Sequence, residues 1–141
     1  MEGKILNNFE KYLKDYGPEQ VELPINKLTE INPYFRLSLW TGTHLQVTLM
    51  NIKPSNDVGL EKHEGTDQLL FVVKGSGEVY SGKTKEELKF KCRVDSGDMI
   101  AVPAGTWHNL VNATNKPLKL YSIYAPVEHP FNTKEMEKPV E

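Results

Sequence analysis

Hydrophobic positions after Phe35 fall into short runs rich in Val, Ile, Leu, Tyr and Thr, and Gly, Pro, Asn or Asp separates each run from the next. Short apolar runs between turn residues are typical of β-strands. Eight strands are predicted, at residues 35–40, 44–52, 68–74, 77–81, 89–94, 99–102, 107–112 and 118–124. So many short strands in one small domain favour a sandwich, a jelly roll or a barrel.

The segment before these strands has a different period. Its apolar residues recur at three- and four-residue spacing, as on one face of a helix, and are Ile5, Leu6, Phe9, Tyr12, Leu13 and Tyr16. The predicted helix ends at Gly17-Pro18 and packs against the outside of the domain or against a neighbouring subunit. Residues 18–34 are rich in proline and are predicted to form an irregular strap. The polar tail after Pro126 is expected to run over the surface.

The length of 141 residues suits a single domain with one hydrophobic core. We predict that residues 1–34 form the helix and strap, residues 35–126 the barrel, and residues 127–141 a tail.

The formal charge of -2 gives no field that would attract nucleic acid or a membrane surface, and no apolar run resembles a signal peptide or spans a bilayer. Cys92 is the only cysteine, which excludes an intrachain disulfide and a cysteine-rich zinc site. We therefore expect a cytoplasmic protein without nucleic-acid or membrane partners.

One short motif points to a different fold. Residues 77–84 match the phosphate-binding pattern GxxxxGK[ST] letter for letter. That chemistry requires a buried strand before the first glycine and a helix that starts at the lysine. Here Val79 and Tyr80 lie between two turn signals, and Lys85 begins a charged connection. We interpret the segment as a solvated β-hairpin.

The most informative stretch is residues 97–112, which read as a strand, a turn at residues 103–105 and a second strand near His108. A histidine just beyond such a turn can project into a barrel. A lone histidine is more often a hydrogen-bonded core residue than a metal ligand, so a metal site needs partners. The isolated His44 and His129 are interpreted as surface or pocket-rim residues.

Partners for His108 lie upstream. Glu61 and His63 are two residues apart, so on an extended chain they face the same side. Gln68 begins the next apolar strand, from which its amide oxygen can reach the same point, and Asp67 is the alternative if the turn is one residue off. Two nitrogens and two oxygens from these residues would suit a borderline or hard divalent ion.

These residues resemble the motifs of the cupin superfamily. The second cupin motif, G(X)5PXG(X)2H(X)3N, is matched at every fixed position, by Gly97, Pro103, Gly105, His108 and Asn112. The first motif, G(X)5HXH(X)3-4E(X)6G, is matched in part. Counting back from Gly75 places Gln68 at its glutamate position, with His63 and Glu61 at the two histidine positions. The resemblance implies an all-β fold, a double-stranded β-helix or jelly-roll barrel, here with a short N-terminal helix.

The resemblance also implies one divalent metal ion bound by Glu61, His63, Gln68 and His108. Relative to the family pattern, one imidazole is replaced by an amide oxygen, which shifts the preference towards manganese, iron or magnesium, although zinc or nickel can win by intrinsic affinity. The alternative is an empty site in which Glu61 is a surface carboxylate and Gln68 bonds to backbone. Burying two imidazoles and a carboxylate without an ion is costly, which favours the metal.

Cupins similar to this sequence include isomerases, dioxygenases, lyases and decarboxylases, and also proteins that only bind sugars or hormones. We predict a metal-dependent enzyme for a small oxygenated organic molecule, with Glu61 or Tyr124 as candidate proton-transfer residues. The alternatives are a non-catalytic module that binds a small, sugar-like molecule in the barrel, and a structural protein. Arg36 and Arg93 are the only arginines, and neither is near the candidate ligand residues in sequence, which argues against a phosphosugar substrate. The resemblance further implies a homodimer.

Overall fold

Two antiparallel β-sheets form the chain's fold. The structure is a computed structural model that describes residues 9–140. Its elements are α1 (Ile25–Ile31), β1 (Arg36–Thr41), β2 (Gln46–Ile52), β3 (Asp67–Lys74), β4 (Ser76–Gly82), a 3-10 turn (Lys85–Glu87), β5 (Lys89–Asp95), β6 (Met99–Val102), β7 (Trp107–Val111), β8 (Leu118–Ala125) and β9 (Lys134–Glu135). One sheet has the order β6-β3-β8-β2-β1-β9 and the other the order β5-β4-β7. The predicted all-β architecture is confirmed.

All eight predicted strands are present, with bounds that differ from the predicted ones by at most two residues. The segment that resembles a phosphate loop lies mostly in β4, which pairs with β5 and β7, so its interpretation as a hairpin is confirmed. The tail was expected to run over the surface, and within it β9 adds a short strand to the edge of β1. No helix in the described part of the chain is long and apolar enough to cross a membrane.

The N-terminal region differs more from its prediction. Residues 1–8 of the predicted helix lie outside the described residues, residues 9 and 10 are helical, and a turn follows them. The proline-rich strap was expected to be irregular, but it contains α1. This helix buries Leu28 and ends before Asn32, whose extended backbone is the conformation that a following proline favours.

The larger sheet is buried on both faces. Its inner face packs against the smaller sheet in a core built from Phe35, Met50, Ile52, Val58, Leu70, Val72, Val79, Val94, Val102, Leu110, Leu118 and Leu120. Its outer face is covered by the N-terminal segment and α1, in a second cluster of Leu13, Leu28, Leu37, Leu39 and Leu49. The first four residues of β1 are therefore all buried, although strand side chains alternate between faces.

Asp15 ties the N-terminal segment to the edge of the sheet. Its carboxylate accepts hydrogen bonds from the Ser38 hydroxyl at 2.8 Å, from the Thr41 amide at 2.9 Å and from the Thr41 hydroxyl. The amides of Gly17 and Asn132 also donate to it. Burial alone would raise the pKa of this carboxyl, but these donors lower the pKa below its ordinary value. Asp15 therefore stays ionised and holds three separate segments together.

Replacing Asp15 with Asn should lower the free energy of unfolding by about 3 kcal/mol, because the charged acceptor is lost and an amide donor then faces buried donors. Urea unfolding at neutral pH measures this loss. The Glu22→Gln variant is the matched control, since Glu22 is exposed in the same N-terminal region and should leave stability unchanged. Equal stability of the two variants would contradict the role given to Asp15.

Candidate metal centre

A pair of main-chain hydrogen bonds places Glu61 opposite His108. The Glu61 amide donates to the His108 carbonyl at 3.0 Å, and the His108 amide donates to the Glu61 carbonyl at 2.9 Å. Residues that exchange both bonds across antiparallel strands project their side chains to the same side. A further main-chain hydrogen bond attaches the loop before β3 to the turn before β7, since the Gly105 amide donates to the His63 carbonyl at 2.7 Å. Backbone pairing alone therefore brings residues far apart in sequence to one place.

The predicted ligand residues do come together. His63 Nε2 lies 3.1 Å from Glu61 Oε2, and His108 Nε2 lies 3.8 Å from the same oxygen. Glu61, His63 and His108 each offer one ligand atom, and these atoms all lie within 4.8 Å of one another, an arrangement that could hold a metal ion. Gln68 reaches the group from β3, with its Oε1 atom 3.1 Å from His108 Nε2.

The alternative ligand lies elsewhere. Asp67 is exposed, and its carboxylate accepts a hydrogen bond from the Ala104 amide at 2.9 Å. Its side chain therefore supports the turn before β7, and Gln68 is the residue of this pair that faces the histidines. His44 is exposed, in agreement with its interpretation as a surface residue.

The protonation of His108 follows from its surroundings. Its Nδ1 atom lies 3.1 Å from the Thr106 carbonyl oxygen, an acceptor, so Nδ1 carries the proton and donates it. Burial lowers the pKa of His108, which favours the neutral ring. The Nε2 atom then presents a lone pair towards Gln68 Oε1 and Glu61 Oε2. Two acceptor atoms, His108 Nε2 and Gln68 Oε1, therefore face each other with no proton between them, and Glu61 Oε2 lies beside them.

His63 is held between two carboxylates. Its Nε2 atom faces Glu61, while its Nδ1 atom lies 2.9 Å from Glu128 Oε1. The hydrogen bond with Glu61, together with the charges of both carboxylates, raises the pKa of His63. The second oxygen of Glu128 accepts a hydrogen bond from the Thr66 hydroxyl at 3.1 Å, which fixes its orientation.

Two residues that the sequence did not assign to the site, Glu128 and Arg36, also reach it. Glu128 contacts His63 as described, and Arg36 Nη2 lies 3.6 Å from Glu61 Oε1 while its Nη1 binds Glu135 at 3.0 Å. Burial alone would raise the pKa of Glu61, but the hydrogen bond with His63 and the Arg36 charge lower the pKa below its ordinary value. Neither Arg36 nor Glu128 stands in a motif, and only the pairing of β1 and β8 with the rest of the sheet brings them here.

Tyr124 and His129 form the wall behind His63. The Tyr124 ring meets the His63 ring edge to face with centroids 5.7 Å apart, and meets the His129 ring in the same way at 5.1 Å. The Tyr124 side chain is fully buried, and its hydroxyl has no hydrogen-bond partner within residues 9–140. Burial raises the pKa of this hydroxyl far above its ordinary value, so Tyr124 is a neutral donor at physiological pH.

His129 is more enclosed than a rim residue. Its backbone amide donates to Gln46 Oε1 at 2.9 Å, and the Gln46 amide group donates to the His129 carbonyl at 2.8 Å. Burial, helped by the nearby Arg36 charge, lowers the pKa of His129 to about 4. The ring is therefore uncharged where most proteins are assayed.

This shift makes the stability of the metal-free protein depend on pH. His129 binds a proton near pH 6.5 in the unfolded chain but only near pH 4 in the folded one, so the unfolded state binds more protons between these values. Stability should therefore fall as the pH falls through this window, and a His129→Gln variant should show a shallower fall. Urea unfolding across the window measures both slopes. If the free energy of unfolding falls as steeply with pH in the His129→Gln variant as in a His44→Gln control, the result would contradict the burial of a neutral His129 ring.

Comparison with known proteins agrees with this geometry. A model of the Cupin domain matches residues 48–124. Protein YrkC of Bacillus subtilis (strain 168) is 53% identical over 121 residues, which cover 86% of this chain and 65% of that protein. This chain thus spans about two thirds of the length of that relative. Acireductone dioxygenase 1 of Physcomitrium patens is 32% identical over 83 residues, which cover 57% of this chain and 42% of that protein.

A solved structure shows the same fold. BH2720 from Bacillus halodurans superposes with a TM-score of 0.86 at 48% sequence identity, and the match covers 87% of this chain and 93% of that chain. The family model spans more than half of the sequence, and the matched range contains all four predicted ligand positions. The chain belongs to the cupin family.

Proposed function

We propose that this cupin binds one divalent metal ion through Glu61, His63, Gln68 and His108 and acts on a small oxygenated organic molecule. The observation that carries the proposal is the convergence of His108 Nε2, Gln68 Oε1 and Glu61 Oε2. His108 Nε2 and Gln68 Oε1 lie 3.1 Å apart, and as two buried acceptors they repel each other unless a cation lies beside them. A cation at that point would turn the repulsion into attraction.

The Gln68 amide offers a specific alternative. Turning it by 180° would let its NH2 group donate to His108 Nε2, and the site would need no metal at that atom. The present orientation leaves Gln68 Nε2 buried and without a partner in the described part of the chain. The orientation with Oε1 towards His108 fits a metal-bound site, and the orientation with the NH2 group towards His108 fits a metal-free site. The orientation of this one amide therefore tests the proposal.

The donor set limits the metal. Two imidazoles, one carboxylate and one amide oxygen suit manganese, iron, zinc or nickel, and the absence of thiolate donors disfavours a soft ion. The Glu61 carboxylate supplies one negative charge, and Arg36 balances part of that charge from the opposite side. The net positive charge left on a bound divalent ion would favour an anionic or chelating ligand.

The chemistry proposed is of the isomerase, dioxygenase or lyase type. When bound, such an ion polarises a carbonyl or enediol oxygen as a Lewis acid or, if redox-active, exchanges electrons. Glu61 serves as a ligand, so it is not free to act as a base. Tyr124 is neutral, buried and against His63, so its hydroxyl could donate a hydrogen bond to an oxygen of the substrate, although its raised pKa disfavours full transfer of the proton. The similarity to a protein named acireductone dioxygenase supports testing oxygen-dependent turnover first.

The first experiment is elemental analysis of protein purified without a metal-affinity tag. The wild-type chain should carry close to one equivalent of metal, and a His63→Ala, His108→Ala double variant should lose it. A His44→Ala variant is the control, since His44 is exposed and away from the site. Equal metal content in the double variant and the wild type, or none in the wild type after incubation with manganese, iron, nickel and zinc, would contradict the proposal.

Turnover separates the enzyme from a binding module. Metal-loaded protein should convert at least one member of a panel of keto acids, diketones and sugars. A Tyr124→Phe variant should slow the conversion by about 100-fold, the loss expected when one hydrogen-bond donor to a developing negative charge is removed. Thermal stabilisation by a panel member without chemical change would favour the non-catalytic module instead. The homodimer and the cytoplasmic location stay predictions.

Glu128 should tune the affinity for the metal through His63. Its carboxylate accepts the Nδ1 proton, which leaves Nε2 free to bind, so Glu128→Gln should weaken metal binding by about 10- to 100-fold. Competition with a chromophoric chelator measures this loss. The Glu137→Gln variant is the control. Glu137 lies in the same C-terminal tail as Glu128, but its carboxylate pairs with the exposed Lys53. Equal affinities in the two variants would contradict the role given to Glu128.

A further inference from the structure

A small cavity opens between the two sheets beside the ligand cluster. Its volume is about 250 Å³. One wall is formed by Leu70, Ile100 and Val102 on the larger sheet, and the other by Val79 and Leu110 on the smaller one. His108 also lines the cavity, so one side chain belongs to both the cavity and the candidate metal centre.

The strand register fixes how the cavity and the cluster adjoin. Gln68 pairs with Val102, and Leu70 pairs with Ile100 one step further along β3. On the smaller sheet, His108 in β7 pairs with Ser81 in β4. Directly paired side chains on one face lie side by side, so the apolar walls begin where the ligand residues end.

Among residues 9–140, those that line the cavity include no Asp, Glu, Lys or Arg. Its polar members, apart from His108, are Ser81, Thr106 and Asn109, whose side chains are neutral. The arginine nearest the cluster, Arg36, is already engaged by Glu61 and Glu135. A phosphate or other charged group in this cavity would lose its water without gaining a cation, which is costly.

We propose that the ligand of the metal centre has an oxygen-donor head and a short, uncharged, apolar body that occupies this cavity. The inference rests on the proposed function, because the head is assigned to the metal. The cavity is smaller than the 300–1,000 Å³ of sites for drug-sized ligands, which limits the body to a few carbon atoms. Straight-chain 2-oxo acids with alkyl tails belong to this class, whereas phosphosugars do not.

The test uses a series of 2-oxo acids from pyruvate to 2-oxohexanoate, titrated calorimetrically into protein loaded with the metal that elemental analysis identifies. The head is constant along the series and only the tail grows. Burial of a methylene contributes about 0.8 kcal/mol, so each added carbon should tighten binding about 4-fold until the cavity is full. Glucose 6-phosphate should bind more weakly than any of the longer acids.

A variant of the cavity wall locates the tail. Ile100 is partly buried, so Ile100→Ala removes apolar surface at moderate risk to the fold. It should weaken binding of 2-oxohexanoate about tenfold and leave pyruvate unchanged. The matched control is Ile123→Ala in β8, because Ile123 alternates with the buried Ser122 and Tyr124 and lies on the opposite face of the larger sheet.

The outcomes separate this inference from the proposed function. Affinity that is independent of tail length, tighter binding of glucose 6-phosphate, or equal effects of the two alanine variants would overturn the inference while the metal centre stands. Failure of metal-loaded protein to bind any acid would also overturn it. Absence of metal from the wild-type chain would overturn the proposed function, and the inference with it.

Discussion

Two main-chain hydrogen bonds between Glu61 and His108 are the constraint on which the rest of the site depends. They attach the loop before β3 to the beginning of β7, and they set the side chains of both residues on the same side. His63, two residues after Glu61, then necessarily faces the same point. Without this pairing the candidate ligand residues would belong to a loop and a strand with no fixed relation.

The interior of the molecule is divided between polar and apolar ends. Near the cluster, the inner face of the larger sheet carries Gln68, Tyr124 and Thr48, whose polar groups are buried. Further along the same face, Met50, Leu120 and Val72 pack against the smaller sheet in the main core. The apolar end stabilises the fold, and this stability allows the polar end to retain buried groups that are not paired within the described chain. The cavity beside His108 lies at the boundary between them.

Sequence patterns predicted the strands and the proximity of the four candidate ligand residues because both depend on local spacing. Period-two alternation puts Glu61 and His63 together, and the turn at residues 103–105 positions His108. Glu128 could not be predicted in this way, since it lies 65 residues from His63 and reaches it only through the pairing of β8 with β3. Helix α1 was missed because its sequence is bounded by prolines, and burial of Leu28 against the outer sheet face stabilises it.

The measurement that tests the central claim most directly is anomalous X-ray scattering from crystals grown in manganese chloride. If the site binds a metal, a single strong anomalous peak should lie within bonding distance of Glu61, His63 and His108, with the Gln68 carbonyl oxygen turned towards it. A crystal with no peak at this position, in which the Gln68 NH2 group donates to His108 Nε2, would show that the four residues form a hydrogen-bonded cluster without a metal.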